Sequence, residues 1–266
     1  MSSASFIETL GVIVQTAVLL VFTVASATLI KRGRNILLTI FFTFALVSWM
    51  LSDLYWITYD LLRPGTRMPL AANEFGECAL FLLLAAGLTP YIKKEMPYPK
   101  FGILYAILFN AANAALWIVW SGEWLQDIVC GIAMSVFSCT LVILLVQTDA
   151  VPRIARIVTV ILSVFVVVFQ AVSTYVKNTF TLVLEYSSYV MMYGVLIYLF
   201  IRAINMYRAK VRTKPFLLGT AAMIWNSFTL YMSPGIIYTV SLTIFTLTIP
   251  LMYIMLRREV LADDLC

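Results

Sequence analysis

Long apolar runs alternate with short polar or basic breaks along the whole chain. A helix needs roughly 20 mostly apolar residues to cross about 30 Å of hydrocarbon. Nine segments reach that length, at about 7–29, 35–62, 71–91, 101–120, 124–147, 154–175, 179–201, 215–233 and 236–256. The breaks carry the residues that end helices. Lys31 and Arg34 close the first segment, Arg63, Pro64, Gly65 and Pro69 the second, and Lys93, Pro97, Pro99 and Lys100 separate the third from the fourth. Pro152 and Pro215 fall near helix starts, where a missing N–H costs little. Ser233, Pro234 and Gly235 predict a tight turn between the last two segments. If 215–256 is not a hairpin, the count drops to eight. Pro250 predicts a kink in the ninth segment.

Within these helices the polar residues fall into stripes, because positions three, four and seven apart share a face. Asp53, Trp56 and Asp60 align on the second, Glu74 and Glu77 on the third, and Asn110, Asn113 and Trp117 on the fourth. Asp127 aligns with Glu123 and Cys130 on the fifth, Gln170 with Thr174 on the sixth, and Glu185 with Ser188, Tyr189 and Met192 on the seventh. On the eighth, Asn226 and Ser233 align beside Trp225 and Tyr231. The even-numbered helices each carry a polar residue followed by an aromatic: Asp53 and Trp56, Asn113 and Trp117, Gln170 and Tyr175, Asn226 and Tyr231. That pattern suggests one leading helix followed by four hairpin repeats.

Composition agrees with the pattern. The chain has 266 residues, of which 62% are hydrophobic and 12% charged, with a mean hydropathy of +0.97. Globular domains are roughly 45–50% apolar and about 25% charged, so a soluble fold and a disordered chain are both excluded. The expected class is all-α: a single integral membrane domain over 1–266, a polytopic bundle of about nine transmembrane helices. With the N-terminus outside, 15 of the 18 Lys and Arg fall in inner loops. That bias follows the positive-inside rule and puts the C-terminus in the cytoplasm of, by expectation, a bacterial cell. The net charge of +5 is therefore read as orientation in the cytoplasmic membrane, with no nucleic-acid partner, because the bases are split among short loops. Ala25 to Ala27 resembles a signal-cleavage site, but no base precedes the apolar run, so the first segment is read as a retained span.

The absence of histidine removes the Ser-His-Asp triad, the Cys-His pair and His-based metal and haem sites. Cys78, Cys130, Cys139 and Cys266 form no CxxC pair, and the first three sit in apolar stretches, where they read as small packing residues. No cofactor is expected.

What remains is the uneven placement of acids. Glu8, Asp53, Asp60, Glu74, Glu77, Glu123, Asp127 and Glu185, eight of the 13, lie in the outward half. Taken singly, these residues read as solvated helix ends, the tryptophans and tyrosines as an interfacial belt, and Asn113, Gln170 and Asn226 as interhelical hydrogen-bond partners. Taken together, they predict an outward acidic and aromatic cavity that binds or transports a small cationic or amphiphilic ligand. Carboxylates supply the charge, and Trp and Tyr faces attract ammonium groups. The candidate binding residues are Asp53, Trp56, Glu77, Asn113, Trp117, Asp127, Gln170, Glu185, Tyr189, Trp225 and Asn226, with Asp53 and Glu185 as central charges.

Two other readings stand beside this one. Residues 52–56 followed by 69–74 resemble the multi-pass sensory regions found ahead of bacterial signalling domains, over about 25 residues. That resemblance implies a sensory module acting through a cytoplasmic protein partner, since the chain stops at Cys266. The acid pairs would also suit a divalent metal in a lipid-modifying enzyme, but DDxxD, HExxH, GxSxG and phosphate-loop signatures are all missing. The sequence favours a binder over an enzyme, in contact with membrane lipid.

Overall fold

A computed structural model describes residues 3–31, 35–63, 72–233 and 235–261. The side chains of Glu8 and Glu74 lie outside the described residues, as do Arg32, Arg34, Arg67 and Cys266. The described residues form nine α-helices: α1 (Ser3–Leu29), α2 (Ile36–Leu62), α3 (Ala72–Leu88), α4 (Lys100–Ser121), α5 (Trp124–Gln147), α6 (Arg153–Tyr175), α7 (Thr179–Arg208), α8 (Lys214–Met232) and α9 (Gly235–Leu261). A single 3₁₀ turn, Thr89–Tyr91, follows α3. The last two segments are indeed separate helices. α7 runs about two turns beyond the predicted 201; its last turn carries Arg208, and the Arg258 guanidinium donates to the Tyr207 carbonyl beneath it.

Seven of the nine helices are long and apolar enough to cross a membrane: all except α3 and α8. α3 is shorter, at 17 residues. α8 has 19 residues, and every one from Pro215 to Leu230 is buried. A helix shielded on all sides by other helices need not be oily enough for lipid, so Thr220, Asn226, Ser227 and Thr229 are admitted. α6 is the converse. Its buried positions are Ser163, Val166, Gln170 and Ser173, while Val164, Phe165 and Val168 face outward. Polar residues inside and apolar residues outside is the arrangement a bilayer selects, and exposed Leu, Ile, Val and Phe recur on every peripheral helix.

α2–α3, α4–α5, α6–α7 and α8–α9 each pack as adjacent pairs, with α1 set against α2 and α9. These pairs join into two rings. One comprises α1, α2, α3, α5, α8 and α9; the other comprises α4, α5, α8, α7 and α6. α5 and α8 form the wall common to both.

The basic residues gather at one end, where hydrogen bonds tie the connections together. Asn35 Nδ2 donates to Tyr91 Oη at 2.8 Å, and Glu259 accepts from Tyr91 Oη at 3.4 Å, from Thr213 N at 2.7 Å and from Thr213 Oγ1 at 2.9 Å. Lys93 N–H and C=O pair with the Gln147 side chain, both at 3.0 Å. α9 remains helical through Pro250.

Candidate functional site

The acidic end of the first ring holds a cavity of about 230 Å³. α1 contributes Val12 and Gln15; α2 contributes Trp49, Ser52, Asp53 and Trp56; α3 contributes Glu77. Trp120, Tyr231, Tyr238 and the Leu230 and Leu242 side chains complete the wall. Among the described residues, no Lys or Arg lines it.

Helical spacing explains the α2 contribution: Trp49, Ser52, Asp53 and Trp56 lie on one face. Glu77 joins them because Gly76 lets α3 approach α2 closely. A Cβ built on Gly76 would lie 2.7 Å from the Ser48 carbonyl oxygen and 2.8 Å from Ser52 Cβ. The small residue thus brings the two carboxylates into one space.

Asp53 is 7% exposed, and its Oδ2 accepts from Thr16 Oγ1 at a long 3.4 Å. That hydroxyl also donates to the Val12 carbonyl at 2.8 Å, the better bond of the two. Glu77 is better held, with Tyr231 Oη donating to its Oε2. Gln15 Nε2, on a residue 1% exposed, is a buried donor without a partner, and the buried Trp49 indole, 2% exposed, neighbours the Asp53 carboxylate. The Trp49 ring is fixed by stacking on Phe245 at 4.5 Å. The cavity therefore combines two carboxylates, an unpaired N–H donor and aromatic faces.

Of the residues singled out from sequence, the structure brings together Asp53, Trp56 and Glu77. The rest are placed elsewhere, so the single vestibule expected around Asp53 and Glu185 is corrected: the two acids lie in different surroundings. Glu185 sits on α7 with Tyr189, whose hydroxyl lies 3.4 Å from Glu185 Oε1 and donates to the Met232 carbonyl at 2.7 Å. Gln170 Nε2 donates to Ser188 Oγ at 2.5 Å, joining α6 to α7. Asn113 donates to the Phe109 carbonyl of its own helix at 2.8 Å. Asp127 accepts from Ser121 Oγ at 2.6 Å, closing the α4–α5 connection. Trp117 packs against Phe228 and Tyr231, at 6.1 and 5.4 Å between centroids. Trp225 donates to the Met192 carbonyl at 2.9 Å and lines a second cavity in the other ring.

Asn226 is 0% exposed, and its Nδ2 donates to the Ser241 carbonyl at 2.8 Å, joining α8 to α9. Asn226→Ala should cost about 0.6 kcal/mol, at most ~1.7, the range for interhelical bonds in membranes. Thermal unfolding in detergent measures that loss, and ligand affinity should stay unchanged.

Gln15 and Trp49 went unremarked in the sequence pattern. The signal for Gln15 was present: it is the only amide in the first span, whose other mid-span polar residues are small hydroxyls. Trp49 lies one turn before Asp53 on the same face. Among the described residues, no three Cys, Asp or Glu side chains are grouped to hold a metal ion. Cys78 and Cys130 are buried and Cys139 is half-buried, and none of the three forms a disulfide among the described residues.

By its fold the chain is a polytopic helical membrane protein, an all-α bundle with seven helices of membrane-crossing length and composition. No family model matches it, and neither a curated protein nor a solved structure does.

Proposed function

We propose that the protein binds a small organic cation in the cavity between α1, α2, α3, α8 and α9. The supporting observation is the convergence of Asp53 and Glu77 in one aromatic-walled space with no basic residue on its lining among the described residues. Buried carboxylates are costly without a compensating charge, and a cation provides it. Trp49, Trp56, Trp120, Tyr231 and Tyr238 offer π faces suited to an ammonium group. The unpartnered Gln15 Nε2 donor favours a ligand that also carries an oxygen acceptor, such as an amino alcohol. The volume exceeds the ~150 Å³ that accepts benzene, which suits a small molecule. Positive-inside placement puts this mouth on the extracytoplasmic face of the membrane.

A row of aromatic rings runs from this cavity toward the second one. Phe109 stacks on Trp225 at 5.8 Å and meets Phe228 at 4.9 Å, and the row continues through Trp117 to Tyr231. The arrangement describes a binding pocket; passage across the membrane would require that row to part.

The test is choline against its uncharged carbon isostere, titrated into the purified chain and followed by tryptophan fluorescence. Saturable binding of choline at least tenfold tighter than the isostere is expected. Equal affinities, or no binding of either, would refute the proposal.

A further inference from the structure

The second cavity, also about 230 Å³, lies within the ring of α4 to α8 and belongs to the basic end. Its lining runs from Gly102, Val146 and Arg156 inward to Asn110, Trp225 and Phe228. Gly102 and Asn110 are eight residues apart on α4, ~12 Å along the axis. Between them the walls are aliphatic, including Ala106, Leu141, Leu199 and Ala221. Of the three hydroxyls on the lining, Tyr105 shares a hydrogen bond with Ser163, Thr159 Oγ1 donates to the Ala155 carbonyl at 2.9 Å, and Ser138 is half-buried.

Arg156 is the single charged residue on this lining. Its Nη2 makes a long 3.4 Å contact with Asp149, whose side chain is 76% exposed, while its Nε is buried without a partner. A weakly engaged guanidinium thus stands at the basic end of an apolar slot whose far end is blocked by the Phe109, Trp225 and Phe228 rings.

We propose that this slot binds a single-chain anionic amphiphile of the fatty-acid type, with its carboxylate on Arg156 and its alkyl chain running toward Trp225. A guanidinium fork matches a carboxylate in shape and charge. Aliphatic walls reward an alkyl chain, by roughly fourfold in affinity per buried methylene. The volume admits one chain, being only moderately larger than the ~150 Å³ that takes benzene. Asn110, whose Oδ1 is buried without a partner, is the polar group an alkyl chain leaves unmatched, so the chain ends near Trp225.

The full chain in phosphatidylcholine nanodiscs, titrated with fatty acids carrying a terminal bromine, tests this through quenching of tryptophan fluorescence. Saturable quenching is expected, tightening roughly fourfold per added methylene until the aromatic wall stops further gain. Trp225→Phe should remove most of the quench while competition with unbrominated acid shows unchanged affinity. Arg156→Gln should weaken binding at least tenfold, Arg156→Lys less, and the corresponding fatty alcohol should bind no better than the acid binds to the Gln variant. Equal binding of acid and alcohol, an unaffected Gln variant, or quenching that survives Trp225→Phe would overturn the proposal. So would non-saturable quenching identical in all variants, which is partition into the bilayer only.

Discussion

Asp53→Asn combined with Glu77→Gln should lower choline affinity by at least roughly 30-fold. Losing the charged partner of a desolvated cation costs about 2–5 kcal/mol, and the amides keep the volume and aromatic walls of the cavity. Measured singly, the two should differ. Glu77 is held closely by Tyr231, whereas Asp53 has the long contact from Thr16 and the neighbouring Trp49 indole. Asp53 therefore has more of its charge left for a ligand, and Asp53→Asn should account for most of the loss. Isothermal titration on both single variants and the pair gives the comparison. An unchanged dissociation constant in the double variant would show that the carboxylates do not hold the ligand.

Gly76→Ala should destabilise the bundle by about 1–3 kcal/mol, the usual cost of forcing a group into a filled space. The added methyl would lie 2.7 Å from the Ser48 carbonyl oxygen, a backbone atom that cannot rotate aside. α2 and α3 must then separate, which moves Glu77 away from Asp53. The variant is expected to lose both thermal stability and choline affinity. Gly194, on α7, has nothing within 4 Å of its built Cβ. Gly194→Ala should instead stabilise by roughly 0.5–1 kcal/mol through helix propensity. Thermal unfolding of both variants in the same detergent checks the opposite signs; a harmless Gly76→Ala would mean the α2–α3 approach is not fixed there.

Helix existence was legible in the sequence because a bilayer demands long apolar runs, and the segments at 101–120 and 124–147 match α4 and α5 to within a residue. The acidic cavity was legible in part. Asp53 and Trp56 share a face by spacing, and Glu77 lies on the next helix of the same hairpin, so chain connectivity itself brings them near. Glu185 and Trp225 could not be placed in the same way. Spacing says which residues share a helix face, but not which distant helix that face meets. α7 belongs to the ring beyond the α5–α8 wall, so Glu185 turns to Tyr189 and Trp225 to the other cavity. Gln15 needed the α1–α9 contact, which joins the two ends of the chain.

The enclosure of α8 bears on how the protein is made. A segment carrying Asn226, Ser227 and two threonines gains little by entering lipid unaided. It must be received during biogenesis by helices already seated in the membrane, so the last hairpin is a late passenger whose insertion depends on the translation of everything before it.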